Sequence, residues 1–577
     1  MPALRTRRSG SLAAGLAALV GLAVAGLVGG AAVSGTPSSP TDSATGRSGA
    51  QAFQPSVVIG PADPQAQVQV SFVLRGRDPA GLQRFLIDVN DPTSPVYHRY
   101  LTPQELGDRF GLGQVEQDQL VARLTSTGLT VVSHNPQRSR LVVRGSAAQL
   151  GTLLSVTIQQ RRDAAGTAYL AAASAPIVPA DLVSLVSAVT GLEPELPVSA
   201  ARKTQVADPP ARGLKPMDLA LAYDFKPLWD AGITGTDQNV AIIQYGVDTD
   251  DDLAAYDTTF GIKAPNVERI AVDGGVVGAP SSFATEAALD TQVVRAVAPG
   301  ANILVFGFPS TESFGASIDA VVADGRAKLI SVSYGKCFAA GYLSQAEYTD
   351  TSDALKRAAA AGVTLFAASG DWGAFTCHAF DTTDPQVSTF FPACTDNAVG
   401  VGGTTLDVRN DGSYLRETGW EDYLSTAGTG GGLSLVDARP PWQKGVAGID
   451  NATSDGHRQC PDVAAAADSA TGYLIYVTDP DTGTGDWQMV GGTSAATPFW
   501  AGVMALVQQA ASQKGITQLG FLAPLFYQLA VSDPAAFHDV QRGGNLVEQS
   551  VPGWDYATGL GSPDVAALTD AVLRVQP

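Results

Sequence analysis

Asn239-Val-Ala-Ile-Ile-Gln-Tyr245 is a near-continuous apolar run of strand length, the pattern of a strand buried on both faces. Three more such runs follow at Ala301–Phe306, Lys328–Ser333 and Val363–Ala368, with helical periodicity between them at Glu286–Ala298, Ala316–Asp324 and Asp353–Ala361. Strands alternating with helices predict an α/β fold with a doubly wound, mostly parallel sheet. In such sheets, sites form beyond the carboxyl ends of the strands.

Three places near that sheet carry chemistry. In Ala284-Thr-Glu286-Ala-Ala-Leu-Asp290-Thr-Gln-Val-Val294 two carboxylates stand four residues apart, on one face of a helix and among apolar neighbours. An isolated pair of this kind is usually a solvated face. Buried together, the two could not both ionise easily and would share a proton, acting as a base in acid. Asp371, in Ala368-Ser-Gly-Asp371-Trp-Gly373, follows the fourth strand, where a protonated carboxyl could donate to an oxyanion. The loop Gly491-Gly-Thr-Ser494-Ala-Ala-Thr-Pro498 precedes an apolar stretch, Phe499–Val507, that reads as a buried helix. A serine there sits near backbone N–H groups and the positive end of the helix dipole. The chain has five histidines (His98, His134, His378, His457 and His538), and none stands in a setting that marks a general base for Ser494. If Ser494 is a nucleophile, something other than imidazole activates it.

A length of 577 residues predicts two or three folded units. The net charge of −20, with only 16% charged residues, leaves no basic stripe for phosphates and argues against nucleic acid. It suits an exported protein that stays soluble in acid. Arg5-Thr-Arg-Arg8 followed by an apolar run from Leu12 to Val33 reads as a signal peptide over residues 1–34, which implies secretion; a membrane anchor results only if that run is not cleaved. The four cysteines (Cys337, Cys377, Cys394 and Cys460) lack metal-ligand spacing and predict two disulfides, with three pairings open.

Residues 35–65 read as a flexible spacer and 66–190 as a small α+β unit with one antiparallel sheet and helices on one face. Its strands are expected at Val68–Leu74, Leu129–Ser133 and Arg140–Arg144, its helices at Gly81–Val89, Val115–Leu124 and Ala147–Leu154. Residues 191–215 carry turn-formers and basic residues without periodicity, the mark of an accessible linker, and 216–577 make up the α/β region.

Taken together, Glu286-x-x-Leu-Asp290, Ser331-Val-Ser-Tyr-Gly335, Ser369-Gly-Asp371-x-Gly373, Val401-Gly-Gly-Thr404, Pro461-Asp-Val463 and Gly491–Pro498 resemble the sedolisins, serine-carboxyl peptidases related to the subtilisins. Tyr97-His-Arg-Tyr-Leu-Thr-Pro103 and Gly128-Leu-Thr-Val131 resemble the ferredoxin-like activation prodomain of the same family, of the kumamolisin type. The resemblance implies a subtilisin-like catalytic domain with Ser494 as nucleophile, Glu286 as its base, Asp290 orienting Glu286 and Asp371 in the oxyanion hole. It also implies a zymogen whose prodomain is an intramolecular inhibitor, cut away within 190–215. Gly430-Gly-Gly-Leu-Ser434 and Ser331–Gly335 resemble strands lining the substrate groove.

Near the C-terminus, Phe537-His-Asp539-Val540 and Pro552-Gly553-Trp-Asp555-x-x-Thr-Gly-Leu-Gly561 resemble the family's calcium loop. The implied ligands of one structural Ca2+ are Asp539 and Asp555 with the carbonyls of Val540, Val551 and Gly553, an all-oxygen shell suited to a hard cation. The resemblance favours pairing Cys337 with Cys377, leaving Cys394 for Cys460. The expectation is a monomeric, secreted acid peptidase acting on proteins or peptides, an endopeptidase rather than a tripeptidyl-peptidase. The competing reading is an ordinary subtilisin-like enzyme using Asp248, at the end of Val240-Ala-Ile-Ile-Gln-Tyr-Gly-Val-Asp248; a binder that has kept the fold stands outside catalysis altogether.

Overall fold

The four apolar runs lie side by side at the centre of one sheet. The computed structural model describes residues 56–163, 166–194, 196–204, 209–246, 248–275, 283–338, 342–379, 386–479 and 482–575. The signal-peptide reading of 1–34 falls outside the described residues. In the main sheet the strands run in the order Glu268–Ala271, Asn302–Gly307, Asn239–Gln244, Leu329–Val332, Thr364–Ala368, Val399–Val408 and Tyr414–Gly419, with Val463–Ala466 also paired to Val399–Val408. Pairing is parallel throughout except at Tyr414–Gly419. Every residue from Val240 to Gln244 is buried, so this strand is covered on both faces. Helix Ala284–Val297 packs against helix Thr493–Gln513, and helix Phe314–Asp324 against Gln345–Ala360. This is a subtilisin-like fold.

The N-terminal unit has a four-stranded antiparallel sheet ordered Thr130–His134, Arg140–Ser146, Gln67–Leu74, Val186–Thr190. Alternation along Gln67–Leu74 sends Val68, Val70, Phe72 and Leu74 into a core shared with Leu120, Leu124 and Leu150 from the unit's own helices. The opposite face is exposed at Gln67 and Arg144 but covered further along by the peptidase region. Ser71 turns to Glu312, and Arg140, 4% exposed, reaches Asp350 at 2.5 Å and Asp319 at 3.6 Å on the peptidase helices. Leu82, Phe85 and Leu86 of helix Pro79–Val89 join the main apolar core.

Two stretches expected to be unstructured are ordered. Val57–Pro61, inside the supposed spacer, pairs antiparallel with Ile158–Arg162 and makes a second small sheet with Ala168–Ala172. Within 191–215, Val198–Ser199 pairs with Tyr334–Gly335 and Arg202–Thr204 pairs with Met489–Gly491. Main-chain pairing onto an existing strand needs no hydrophobic periodicity, so the sequence carried no sign of it. At Ala200 and Arg202 the segment is buried, 1% and 6% exposed, whereas Lys203, Ala211 and Arg212 are exposed.

Candidate active site

The first two turns of helix Ala284–Val297 place Glu286 and Asp290 one above the other. Both are fully buried, so the solvated-face alternative does not hold. The serine helix begins at Thr493, six residues earlier than its apolar stretch announces, and Ser494 occupies its first turn. Pro498, which lies inside the helix, has no N–H to give the Ser494 carbonyl. That carbonyl instead lies 3.2 Å from Ser333 Oγ.

Ser494 Oγ donates to Glu286 Oε2 at 2.9 Å. Behind it, Asp290 accepts from Gln244 Nε2 at 2.7 Å and from Ser333 Oγ at 2.6 Å. Burial pushes Glu286 above its usual range, reinforced by Asp371, and hydrogen bonds from Ser199 and Ser494 oppose the rise. Burial also pushes Asp290 up, and the neighbouring Glu286 adds to it. Two carboxyls that each resist ionisation, one beside the other, hold a proton between them across a wide pH range. Glu286 Oε1 has no donor of its own among the described residues, which suits a shared proton on that side.

Asp371 follows strand Thr364–Ala368 through Gly370, whose φ is +101°. Its Oδ1 accepts from the N–H and the hydroxyl of Thr493, each at 2.8 Å. Its Oδ2 is buried without a hydrogen-bond partner. Burial raises this carboxyl to about 7, with Arg202 and Thr493 pulling it down. It is therefore neutral in acid and able to donate through Oδ2. Gly492 has φ +108°, and a Cβ there would fall 1.9 Å from the Ala200 carbonyl oxygen and 2.5 Å from Asp371 Oδ2, so only glycine fits.

The Pro-kumamolisin activation domain matches residues 54–194, and the subtilase family matches 276–520. Sedolisin from Pseudomonas sp. (strain 101) is 32% identical over 539 residues, covering 87% of this chain and 86% of that protein. The chain belongs to the sedolisin family of serine-carboxyl peptidases. Kumamolisin from Bacillus sp. (strain MN-32) is 34% identical over 424 residues, covering 69% of this chain and 72% of its own. A solved structure of Pseudomonas sedolisin, a serine-carboxyl proteinase complexed with two molecules of pseudo-iodotyrostatin, superposes with a TM-score of 0.55. It is 30% identical and covers 63% of this chain and 99% of that one.

In the present chain the four expected residues, Ser494, Glu286, Asp290 and Asp371, converge on one place. None of the five histidines hydrogen-bonds Ser494 among the described residues; His457, for example, binds Asp455. Asp248, the acid of the competing subtilisin reading, pairs with Arg269 at 3.1 Å and not with the serine. Sequence reasoning did not find Gln244, Ser333 or Thr493, which hold the two acids, although each lies within or beside a quoted motif. It also missed Ser199, whose hydroxyl donates to Glu286 Oε2. Of the two expected groove strands, Ser331–Gly335 does pair with the segment in the cleft. Gly430–Ser434 makes no such pairing among the described residues: Gly430 N–H donates to the Gly370 carbonyl at 2.8 Å, which braces the Asp371 loop, and Gly432–Ala438 pairs with His457–Cys460.

The disulfides are Cys337–Cys377 and Cys394–Cys460, the former joining the groove strand to the short helix behind Asp371. At the C-terminal loop, Asp539 accepts from Gly553 N–H at 3.1 Å and Asp555 from Val551 N–H at 3.0 Å, so both carboxylates turn toward one turn of chain. No described hydrogen bond uses the carbonyls of Val540, Val551 or Gly553, so three oxygens of the implied all-oxygen shell are open, while both carboxylates already accept backbone N–H bonds. Gly553 has φ +83° and Val551 is not in the left-handed region, so valine at that position costs no backbone strain. The donor set fits calcium.

Proposed function

We propose that the chain is a secreted zymogen of an acid-acting endopeptidase that cuts peptide bonds through an acyl-enzyme on Ser494. The observation that carries the reading is the line from Ser494 Oγ to Glu286 Oε2 at 2.9 Å, with Asp290 held behind it and the free oxygen of Asp371 in front. With one proton shared by the carboxyl pair, Glu286 takes the Ser494 proton as Oγ attacks a carbonyl carbon. The developing oxyanion receives a hydrogen bond from neutral Asp371 and lies near the N-terminal N–H groups of the serine helix. Glu286 then returns the proton to the leaving nitrogen, and water, deprotonated the same way, releases the acyl group. Activity in acid follows from these groups: full protonation of the pair removes the base, and ionisation of Asp371 removes the donor. A subtilisin-like imidazole would instead be protonated and idle there.

An endopeptidase is favoured because the segment in the cleft is paired with peptidase strands on both sides of Ala200–Ala201, at Val198–Ser199 and at Arg202–Thr204. The prodomain supports an inhibited precursor, since it is joined to that segment and docks on the peptidase through Arg140. Calcium, held by Asp539, Asp555 and the carbonyls of Val540, Val551 and Gly553, would tie the C-terminal loop and take no part in the reaction. The test is purified precursor brought to acid pH, with Ser494→Ala beside it. The expected result is prodomain loss and internal cuts in a peptide library by the wild type only. A rate maximum above neutral pH, or unaided maturation of the Ser494→Ala chain, would refute it.

A further inference from the structure

We propose that Ala200–Ala201 is the bond this chain first cuts in itself, and that Arg202 marks a subsite for a planar cation two residues beyond the cut. The assignment rests on the roles given above to Ser494, Glu286 and Asp371. Two strand pairings bracket these residues: Val198–Ser199 on Tyr334–Gly335 before them, Arg202–Thr204 on Met489–Gly491 after them. Ala200 and Ala201 span the gap between the pairings, across the mouth of the site. Ala200 N–H donates to the Ser333 carbonyl at 3.2 Å, which fixes the register.

The two ends of the Ala200–Ala201 peptide face the two halves of the machinery. Its carbonyl oxygen lies 1.9 Å, and the unpartnered Asp371 Oδ2 2.5 Å, from the same point above Gly492. Its nitrogen faces the other way: Ala201 N–H donates to Ser199 Oγ at 3.0 Å, that hydroxyl donates to Glu286, and the N–H itself lowers the Glu286 carboxyl's resistance to ionisation. The oxyanion donor therefore stands at the carbonyl and the proton donor at the leaving amide. Ser494 Oγ bonds to the Ala200 carbonyl carbon, the C–N bond to Ala201 breaks, and the Ser494 proton passes through Glu286 to the Ala201 nitrogen. Water then hydrolyses the ester, leaving a carboxylate on Ala200 and Ser494 restored.

Arg202 is held with care for a residue in a linker. Its Nη2 donates to the Asp371 carbonyl at 2.6 Å, its Nε lies 3.7 Å from Asp371 Oδ2, and its guanidinium sits 4.7 Å from the centre of the Trp372 ring. A flat cation can stack on that ring while giving its edge to the carbonyl; an ammonium can do only one.

The full-length chain is diluted in acid and sampled over time, with fragments measured by mass. The first products should end at Ala200 and begin at Ala201; a first cut at any other bond overturns the assignment. If the wild type digests an unrelated denatured protein but cuts itself elsewhere, this assignment fails and the functional reading stands. If it does neither, both fail. For the subsite, matured enzyme is given the peptide spanning residues 196–204 with the Arg202 position as Arg, Lys or Ala. The arginine peptide should have a kcat/KM about tenfold above the alanine peptide, with lysine between them. Trp372→Ala should collapse that difference, whereas a merely structural tryptophan would slow all three peptides alike. Equal values for the three peptides overturn the subsite.

Discussion

Replacing Asp371 tests the acid mechanism at its most specific point. Oδ1 is engaged by two donors from Thr493 at 2.8 Å and Oδ2 by none, so asparagine can keep its oxygen on Thr493 and aim its amide where Oδ2 now points. Asp371→Asn thus leaves a donor that never ionises. Asp371→Ala removes the donor, and one lost oxyanion donor costs about 10²–10³-fold in rate. In the native protein the donor is present only while the carboxyl is protonated. Since that carboxyl is raised to about 7, the donating fraction is nearly complete in acid and falls roughly tenfold for each pH unit above that value. Ionising the Glu286–Asp290 pair makes Glu286 a stronger base, so it does not account for a loss at high pH.

The assay is the first-order rate of self-cleavage of dilute precursor, followed on gels from acid to alkaline pH. It is a single turnover and needs no separately matured enzyme. Asp371→Asn should stay within a few-fold of wild type in acid and outpace it increasingly above neutrality, by roughly a hundredfold two units beyond the raised value. Asp371→Ala should be about 10²–10³-fold slow throughout. If the asparagine variant follows the alkaline decline of the wild type, or the alanine variant comes within a few-fold of it, Asp371 is not the donor.

Three further outcomes are expected. Arg140→Met, read by urea unfolding of the Ser494→Ala precursor at neutral pH, should cost about 3 kcal/mol, the low end for breaking a buried pair, because Arg140 Nε and Nη1 have no partners to lose; an unchanged midpoint would mean the prodomain does not dock through this charge. Asp371 and Glu312 are both raised to about 7 by burial, so the folded state prefers them protonated. Their stabilisation is complete below the ordinary carboxyl range of about 4 and is lost as pH climbs through about 7, so Tm of the same precursor should fall from acid to neutral; a rising Tm would contradict the sign. Calcium at a hundredfold excess over Kd should add about 2.7 kcal/mol, and a chelator should remove it in the wild type but not in Asp539→Asn, while equal Tm with and without the ion would dismiss the site.

The central strands and the carboxyl pair were legible because burial writes itself as apolar runs, and Glu286 and Asp290 stand out as charges among Ala, Leu and Val. The start of the serine helix was hidden by Pro498, which reads as a helix breaker although it occupies the second turn. The groups that hold the acids were hidden for another reason. Gln244, Ser333 and Thr493 act through one or two hydrogen bonds each, from strand ends and a helix start, and no spacing rule singles out one polar residue among many. Least legible was the segment from Val198 to Thr204. Its place is set by main-chain pairing with strands more than a hundred residues away, so its side chains had no pattern to show.

That segment also shapes the electrostatics of the site it fills. Arg202 is the largest influence holding Asp371 down against burial, and Asp422 in turn steadies the Arg202 charge. While the segment is seated, the cation favours the ionised form of the carboxyl that must donate. The cut at Ala200–Ala201 leaves Arg202 on the peptidase side, as the second residue of the new N-terminus, so release of the prodomain does not by itself remove the cation. The residue that anchors the inhibitory segment thus makes the first cut acid-dependent, since the carboxyl it favours ionised is the one that must donate.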